Sequence, residues 1–495
     1  VSTNLTARTA GAVGWTTAAR IIQQVVQIGI SILLMRLLGP DAFGLIAMVT
    51  VFTGFMRVFA DFGFASALVQ SREVSEAHRS GVFWFTILVG LALTLLVAAI
   101  SPLVAAFYGD PLLRPITAAI GLTFILSAPA SVPNALLQKA LRFKQIASVQ
   151  VAATLLSSAA AIALALRGAG VWSLVVQSLL GAAASSLLVF VVSDWRPRWA
   201  LDFRSLKDLL RYGAGLTGFN VLNYWSRSAD NLLVGKFLGA TALGIYSRAY
   251  SLMVLPLMQV IGVLQPALFP ALAEIQHDTE RVRRAYLRAN RLITFVTFPA
   301  MFGLLAVADP FVNGLLGSAW AGVIPLIQIL AMAGLLNTVA NPTGWLFQSQ
   351  GRTDWMFRWS LFASSARVLG FCIGVWIGTV EAVAWSYTIG GIFLTPLVVA
   401  LAGRLVNLSV SHVVAATGGN FLRSALMAAI VSALSLSVPQ GIDGIPRLTL
   451  LVAAGVLTYF SAAWWTRAEA IADALSVLKQ TRPLLAARLD RLRRA

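Results

Sequence analysis

The sequence predicts an all-α polytopic membrane protein with two parallel six-helix repeats and two extra C-terminal transmembrane helices, about 14 spans in all. Three observations lead there. Apolar residues fill 58% of the 495 positions and charged residues only 11%, against roughly 25% charged in soluble domains. Apolar runs of about 20 residues, the length at which a helix crosses a bilayer, recur from end to end. The chain also resembles itself at a shift of 200 residues. A soluble core of this size would need a charged skin that this composition cannot supply, which excludes the soluble globular classes.

The spans are expected at about 14–35, 42–64, 82–106, 114–136, 146–166, 170–193, 209–234, 243–269, 286–308, 323–347, 356–379, 381–403, 419–437 and 446–466. The first is too long for a cleavable signal peptide and carries Arg20, Gln23, Gln24 and Gln27. The net charge of +18 comes from 37 Lys+Arg against 19 Asp+Glu. Such a balance suits a nucleic-acid binder, but here the bases sit mainly between apolar runs, so no nucleic-acid partner is expected. Counting bases near a span's end with the adjoining loop, the termini and even-numbered loops hold 27 of the 37 and the odd-numbered loops five, namely Arg36, Arg114, Arg167, Lys236 and Arg447. The other five lie within spans. Basic loops stay cytoplasmic, so both termini are expected in the cytoplasm and the chain in a bacterial inner membrane. The tail from Arg467, ending Arg488-Leu-Asp-Arg491-Leu-Arg493-Arg494, reads as a basic amphipathic helix on anionic headgroups, which makes membrane lipids a partner.

Under the 200-residue shift, Leu33, Leu38, Gly39, Ala42 and Gly44 fall on Leu233, Leu238, Gly239, Ala242 and Gly244. Arg36 falls on Lys236, and Ala67-Leu68 on Ala267-Leu268. Six spans per copy is an even number, so the copies run parallel, and parallel repeats place a substrate site between two lobes. The expected organisation is a lobe over 1–200, a second over 201–405, two added spans over 406–466 and the tail over 467–495.

Polar residues line one face of two spans. The first span carries Thr16, Arg20, Gln23, Gln24, Gln27 and Ser31, and the seventh carries Asn220, Asn223, Tyr224, Arg227 and Asn231. Positions 20, 23, 24, 27 and 31 coincide with 220, 223, 224, 227 and 231 under the shift, so the polar face is kept while its residue types differ. The second span adds Thr53, Arg57 and Asp61, the eighth Arg248 between Tyr246 and Tyr250, and the eleventh Arg367. An arginine at mid-membrane costs about 2.5–3.5 kcal/mol, so these five should line water or protein. The structural alternative is ion pairing, Arg57 with Asp61 and Arg227 with Asp230. Arginine dominates over carboxylate, so a pathway here should favour anions, and its planar fork suits phosphate or pyrophosphate.

Other signals carry no function. Gly213-Ala-Gly215-Leu-Thr-Gly218 matches a dinucleotide fingerprint, but no strand precedes it and it opens a membrane helix. His78, His277 and His412 have no metal-ligand spacing, and Cys372 is the only cysteine. Neither cofactor nor metal is expected.

The chain resembles the polysaccharide transporter, or oligosaccharide flippase, family of the MOP superfamily, in the group that includes colanic-acid-type exporters. The residues are Arg36-Leu-Leu-Gly39-Pro-Asp-Ala-Phe-Gly44, Ala60-Asp-Phe-Gly63, Gly170-Val-Trp172-Ser-Leu-Val, Asp230-Asn-Leu-Leu-Val-Gly235-Lys-Phe-Leu-Gly239, Gly244-Ile-Tyr246-Ser-Arg-Ala-Tyr250 and Leu316-Gly-Ser-Ala-Trp320. The resemblance implies two six-helix lobes around a cationic cavity that opens alternately to each side, and undecaprenyl-pyrophosphate-linked repeat units as cargo. It also implies that helices one, two, seven and eight line the cavity, matching Arg20, Arg57, Arg227 and Arg248; Arg367 has no such support. The polymerase and chain-length machinery of polysaccharide assembly are further candidate partners. Three rivals stand beside this reading, one of them a scaffold for the polymer-synthesis machinery, which the polar stripes make needlessly costly. A cation-coupled drug antiporter would need an unpaired membrane carboxylate, with Asp61 and Asp230 as candidates. A membrane polymerase or ligase would need a sizeable external loop, and every expected external loop is short.

Overall fold

The computed structural model describes residues 23–60, 76–199, 203–437, 444–471 and 473. Among them every regular element is helical. Twelve described helices are long and apolar enough to cross a membrane, against the fourteen expected from sequence. The difference lies in two places. The first expected span is described only over Gln23–Leu37 (α1), a shorter apolar helix. The seventh and eighth run on as one helical stretch, Phe203–Glu274, whose only interruption is Gly239 at φ 88°, ψ 179°. That backbone region is essentially open to glycine alone. The loop expected at 235–242 is therefore a one-residue break.

The chain divides into two compact units, Val1–Gly244 and Ile245–Ala495. The first unit holds α1, α2 (Pro40–Ala60), α3 (Glu76–Tyr108), α4 (Leu113–Ser127), α5 (Ser131–Lys139), α6 (Phe143–Leu166), α7 (Trp172–Val192) and the start of α8 (Phe203–Glu274). Here α3 packs on α4, α4 on α7, and α6 on α7. Leu93, Val97 and Phe124 form one apolar cluster, with Met56 and Phe59 of α2 against it. The Thr94 hydroxyl donates to the Gly121 carbonyl at 3.0 Å, tying α3 to α4.

The second unit holds α9 (Thr279–Ala306), α10 (Val323–Ala340), α11 (Thr343–Ser349), α12 (Thr353–Ile377), α13 (Val380–Gly403), α14 (Val410–Ser437) and α15 (Ile445–Trp465). Two of its helices start at side-chain caps. The Asp278 carboxylate accepts from the Arg281 amide at 3.0 Å to open α9, and the Thr379 hydroxyl accepts from the Ala382 amide at 3.3 Å to open α13. The two last spans belong to this unit: α14 packs along α9, and Asn420 donates to the Arg291 carbonyl at 2.9 Å and to the Thr294 hydroxyl at 3.0 Å.

Several buried hydroxyls are satisfied inside their own helices. Thr53, Thr297 and Thr338 each donate to the carbonyl four residues earlier, as a medium without water requires. The outward surface is apolar: Leu88, Leu103, Leu187, Trp376 and Leu436 are all more than half exposed. In water such a surface would associate; in a bilayer it meets acyl chains.

Candidate functional site

Helices α2 and α8 run together in the first unit, and their contacts follow the 200-residue repeat. A Cβ added to Gly44 would collide with the carbonyl oxygen of Ala240, and one added to Gly244 would collide with that of Pro40. Positions 40 and 44 are the repeat mates of 240 and 244, so the contact is reciprocal, as between two subunits of a dimer. Between them the Thr241 hydroxyl lies 3.3 Å from the Asp41 carboxylate, a pair that is also its own repeat mate. The glycines are thus needed because two helix backbones approach where no side chain fits.

Further along the seam, Gly235 faces Met48 and Tyr108. The Tyr224 hydroxyl reaches the carbonyls of Thr50 and Val51 at 3.1 and 2.6 Å. Phe55 packs on Tyr224 and Trp225 with ring centroids 6.0 and 5.1 Å apart. Arg57, which interacts electrostatically with Tyr224, lies just past Phe55 on α2, and Arg227 lies on α8 on the Gly239 side of Trp225. Both are exposed. Arg57 is ~26 Å along α2 from Pro40, and Arg227 ~18 Å along α8 from Gly239, at 1.5 Å per residue. Among the described residues neither guanidinium has a carboxylate partner within 4.0 Å.

The ion pair considered for Arg227 and Asp230 is therefore not formed. Asp230 is buried, and its carboxylate accepts from the Asn231 amide at 2.7 Å. The other alternative, Arg57 with Asp61, involves a residue outside the described ones, as is Arg20. Gln24 is half-buried and Gln27 exposed on α1; Asn220 and Asn223 lie on α8.

Arg248 and Arg367 belong to the second unit and are half-buried. That unit has an aromatic cluster of its own. Tyr250 meets Tyr387 at 5.8 Å, Phe371 stacks on Tyr387 at 6.0 Å, and the Asn337 amide donates to the Tyr387 hydroxyl at 3.0 Å. The structure thus brings Arg57, Tyr224 and Arg227 to one seam. Sequence reasoning missed Phe55, Trp225, Asn337 and Tyr387: aromatic and amide residues are too common in membrane helices to stand out, whereas arginine is not.

What the two helices of the seam offer is an exposed guanidinium group each, Arg57 on α2 and Arg227 on α8, groups suited to binding anions. Comparison with known proteins agrees with such a membrane protein. The Teichuronic acid biosynthesis protein TuaB of Bacillus subtilis (strain 168) is 28% identical over 411 residues, covering 82% of this chain and 85% of that one. The Lipopolysaccharide biosynthesis protein WzxC of Escherichia coli (strain K12) is 29% identical over 379 residues, 75% of this chain and 76% of that one. In fold, the chain is similar to the lipid II flippase MurJ in an inward closed conformation, with a TM-score of 0.67 over 92% of this chain and 99% of that one, at 16% identity. A model of the family described as "Polysaccharide biosynthesis protein" matches residues 33–325, more than half of the length. The chain belongs to that family.

Proposed function

We propose that this protein is a flippase. It moves polyprenyl-pyrophosphate-linked oligosaccharide units from the cytoplasmic to the periplasmic leaflet of a bacterial inner membrane, for exopolysaccharide, capsule or O-antigen assembly. No covalent step is part of it. The observation that carries this reading is the pair Arg57 and Arg227, exposed and without carboxylate partners among the described residues, at the end of the seam where the two repeats touch. Such charges are tolerated within a membrane where water, protein or an anion meets them. A pyrophosphate provides two phosphate groups for two planar forks.

The reciprocal contact of Gly44 and Gly244 supplies the motion. Two parallel repeats that meet at one end and expose charge beyond it are arranged to rock, opening one side as the other closes. With both termini cytoplasmic, the glycine end faces the periplasm and the arginines face the cytoplasmic side, where cargo is made. The relatives' names, teichuronic acid and lipopolysaccharide biosynthesis, and the fold shared with a lipid II flippase support the substrate class. The lobes are proposed as 1–200 and 201–405, with the polysaccharide polymerase and chain-length machinery as receiving partners. The test is a deletion strain. It should accumulate polyprenyl-pyrophosphate-linked units while losing surface polymer, and Arg57→Ala or Arg227→Ala should fail to restore export at normal membrane abundance. Restoration by both variants would overturn the role given to the pair.

A further inference from the structure

The segment Trp195-Arg196-Pro197-Arg198-Trp199 alternates aromatic and basic residues about a proline, and the cationic seam makes no use of it. It follows α7 and is laid against the beginning of α3. The Trp195 indole donates to the Glu76 carboxylate at 3.0 Å, and the Trp84 indole donates to the Arg198 carbonyl at 3.0 Å. The Arg198 amide donates to the Ser80 hydroxyl at 3.0 Å. Trp199 stacks on Trp84, with centroids 4.2 Å apart and planes 16° from parallel. The backbone of Arg198 is thus held from both sides by α3, while its exposed side chain has no ion pair or hydrogen bond among the described residues. Pro197 keeps the strap from winding into a helix that would turn these groups apart.

The depth of this strap follows from α3. Its 33 residues make ~50 Å of helix, while the hydrocarbon core needs ~30 Å. Leu88, Leu91, Leu95 and Leu103 are exposed along it and mark the lipid-facing stretch. Trp84 comes one turn before Leu88, at the level where indoles gather between chains and headgroups. Ser80 and Arg198 then lie among the headgroups. Trp199 is 88% exposed there, with an indole on which nothing but Trp84 stacks. Charge is matched to that layer. Glu76 is taken up by Trp195, with Arg79 3.8 Å away, and Asp194 by Arg142 at 2.7 Å, so these two acids, among the described residues, are engaged. Arg196 is oriented by its bonds to the Ser193 and Trp195 carbonyls and carries no acid partner within 4.0 Å among the described residues.

We propose that this strap is a binding site for the phosphate of an anionic phospholipid. Arg198, assisted by Arg196, takes the phosphodiester, and the Trp84–Trp199 stack packs on the glycerol and upper chain. A guanidinium pinned by its own backbone loses little freedom on binding such an oxyanion. The site rests on the membrane reading of α3 alone and not on the identity of the cargo.

The test uses the full-length protein in symmetric vesicles without cargo, so that neither orientation nor transport enters. Two mixtures of phosphatidylglycerol and phosphatidylcholine are compared, with the acyl-chain bromine on one lipid or on the other. The fluorescence of Trp199, taken as the difference between the protein and Trp199→Phe, should be quenched more when phosphatidylglycerol is brominated. Arg198→Gln should reduce that preference about fivefold, the effect of one basic residue at an anionic surface, and Arg198→Lys should keep part of it. Equal quenching in the two mixtures would make the strap a general interfacial anchor and overturn the proposal. So would an unchanged preference in Arg198→Gln, or a preference abolished by inorganic phosphate, which would assign the site to a free anion. Native mass spectrometry of phosphatidylglycerol adducts on Arg198→Gln gives the same answer if Trp199→Phe fails to accumulate.

Discussion

Arg57 and Arg227 show how a costly residue marks a candidate site. Each would be expelled from lipid at about 2.5–3.5 kcal/mol, yet each stands exposed, with no carboxylate partner among the described residues, at the end of the α2–α8 seam. Replacing either with Ala should lower export at least tenfold without lowering membrane abundance, because a charge-assisted bond to phosphate is worth ~1.5–3 kcal/mol. Lys should restore only part, since it keeps the charge and loses the fork; quantified surface polymer and an immunoblot of membranes check both. Disappearance of the Ala variants from the membrane would assign the arginines to folding instead. As candidates these two positions were legible in the sequence because charge within an apolar run is a loud signal, and Tyr224 because it shares the polar face of Arg227. Phe55 and Trp225 were not, because an aromatic ring in a membrane helix packs, stacks or faces lipid with equal ease, and only the contact with Tyr224 separates these uses.

At the scale of elements, α8 and the docking of α15 carry the expectations. Gly239 is the single break in α8, at φ 88°, where a side chain costs about 1–3 kcal/mol. Gly239→Ala should therefore lower the thermal midpoint in detergent by several degrees, and an unchanged midpoint would show that the break relaxes. After α15 the chain is tied back to α9. Arg288 meets the Asp473 carboxylate at 2.9 Å, and Arg291 meets Glu469 and Asp473. Arg291→Ala removes one side of this partly buried set, and leaving a carboxylate unmatched is costly. Limited trypsin digestion should then cut at Arg467 faster than in the parent protein; equal rates would mean that Arg288 alone holds the segment. Hydropathy recovered the apolar stretches but drew a loop at 235–242. It could not tell a one-residue break from a loop, since Val234-Gly235-Lys236-Phe237-Leu238 is helical and polar enough to look exposed. The pairing of Arg291 with Glu469 was illegible for another reason, as 178 positions separate the partners in sequence.

For the molecule as a whole, the 200-residue repeat was readable as matching letters, Leu-Gly-x-x-Ala-x-Gly at 38–44 and 238–244. Its physical reason was not. Gly44 and Gly244 are there because each lies under the other copy's backbone, a constraint that appears only when the copies meet. Two expectations follow at this scale. A reporter fused after Ala495 should be active only as a cytoplasmic reporter, given 27 basic residues on that side against five; a periplasmic signal would reverse the topology. Cysteines at Ser31 and Asn231, repeat mates on the two polar faces, with Cys372 replaced, should leave export intact when reduced and block it when cross-linked, since tethered repeats cannot rock; full export by the cross-linked protein would rule out the motion.

The central claim is that the protein itself carries a lipid-linked oligosaccharide across the bilayer. Its most direct measurement is leaflet exchange in vesicles containing only the purified protein and a fluorescent polyprenyl-pyrophosphate oligosaccharide. A membrane-impermeant reagent that destroys the fluorophore should reach about half of the label in protein-free vesicles and nearly all of it when the protein is present, with Arg57→Ala and Arg227→Ala returning the protected half. Protection of half the label by the intact protein, in vesicles where its incorporation is demonstrated, would contradict the claim.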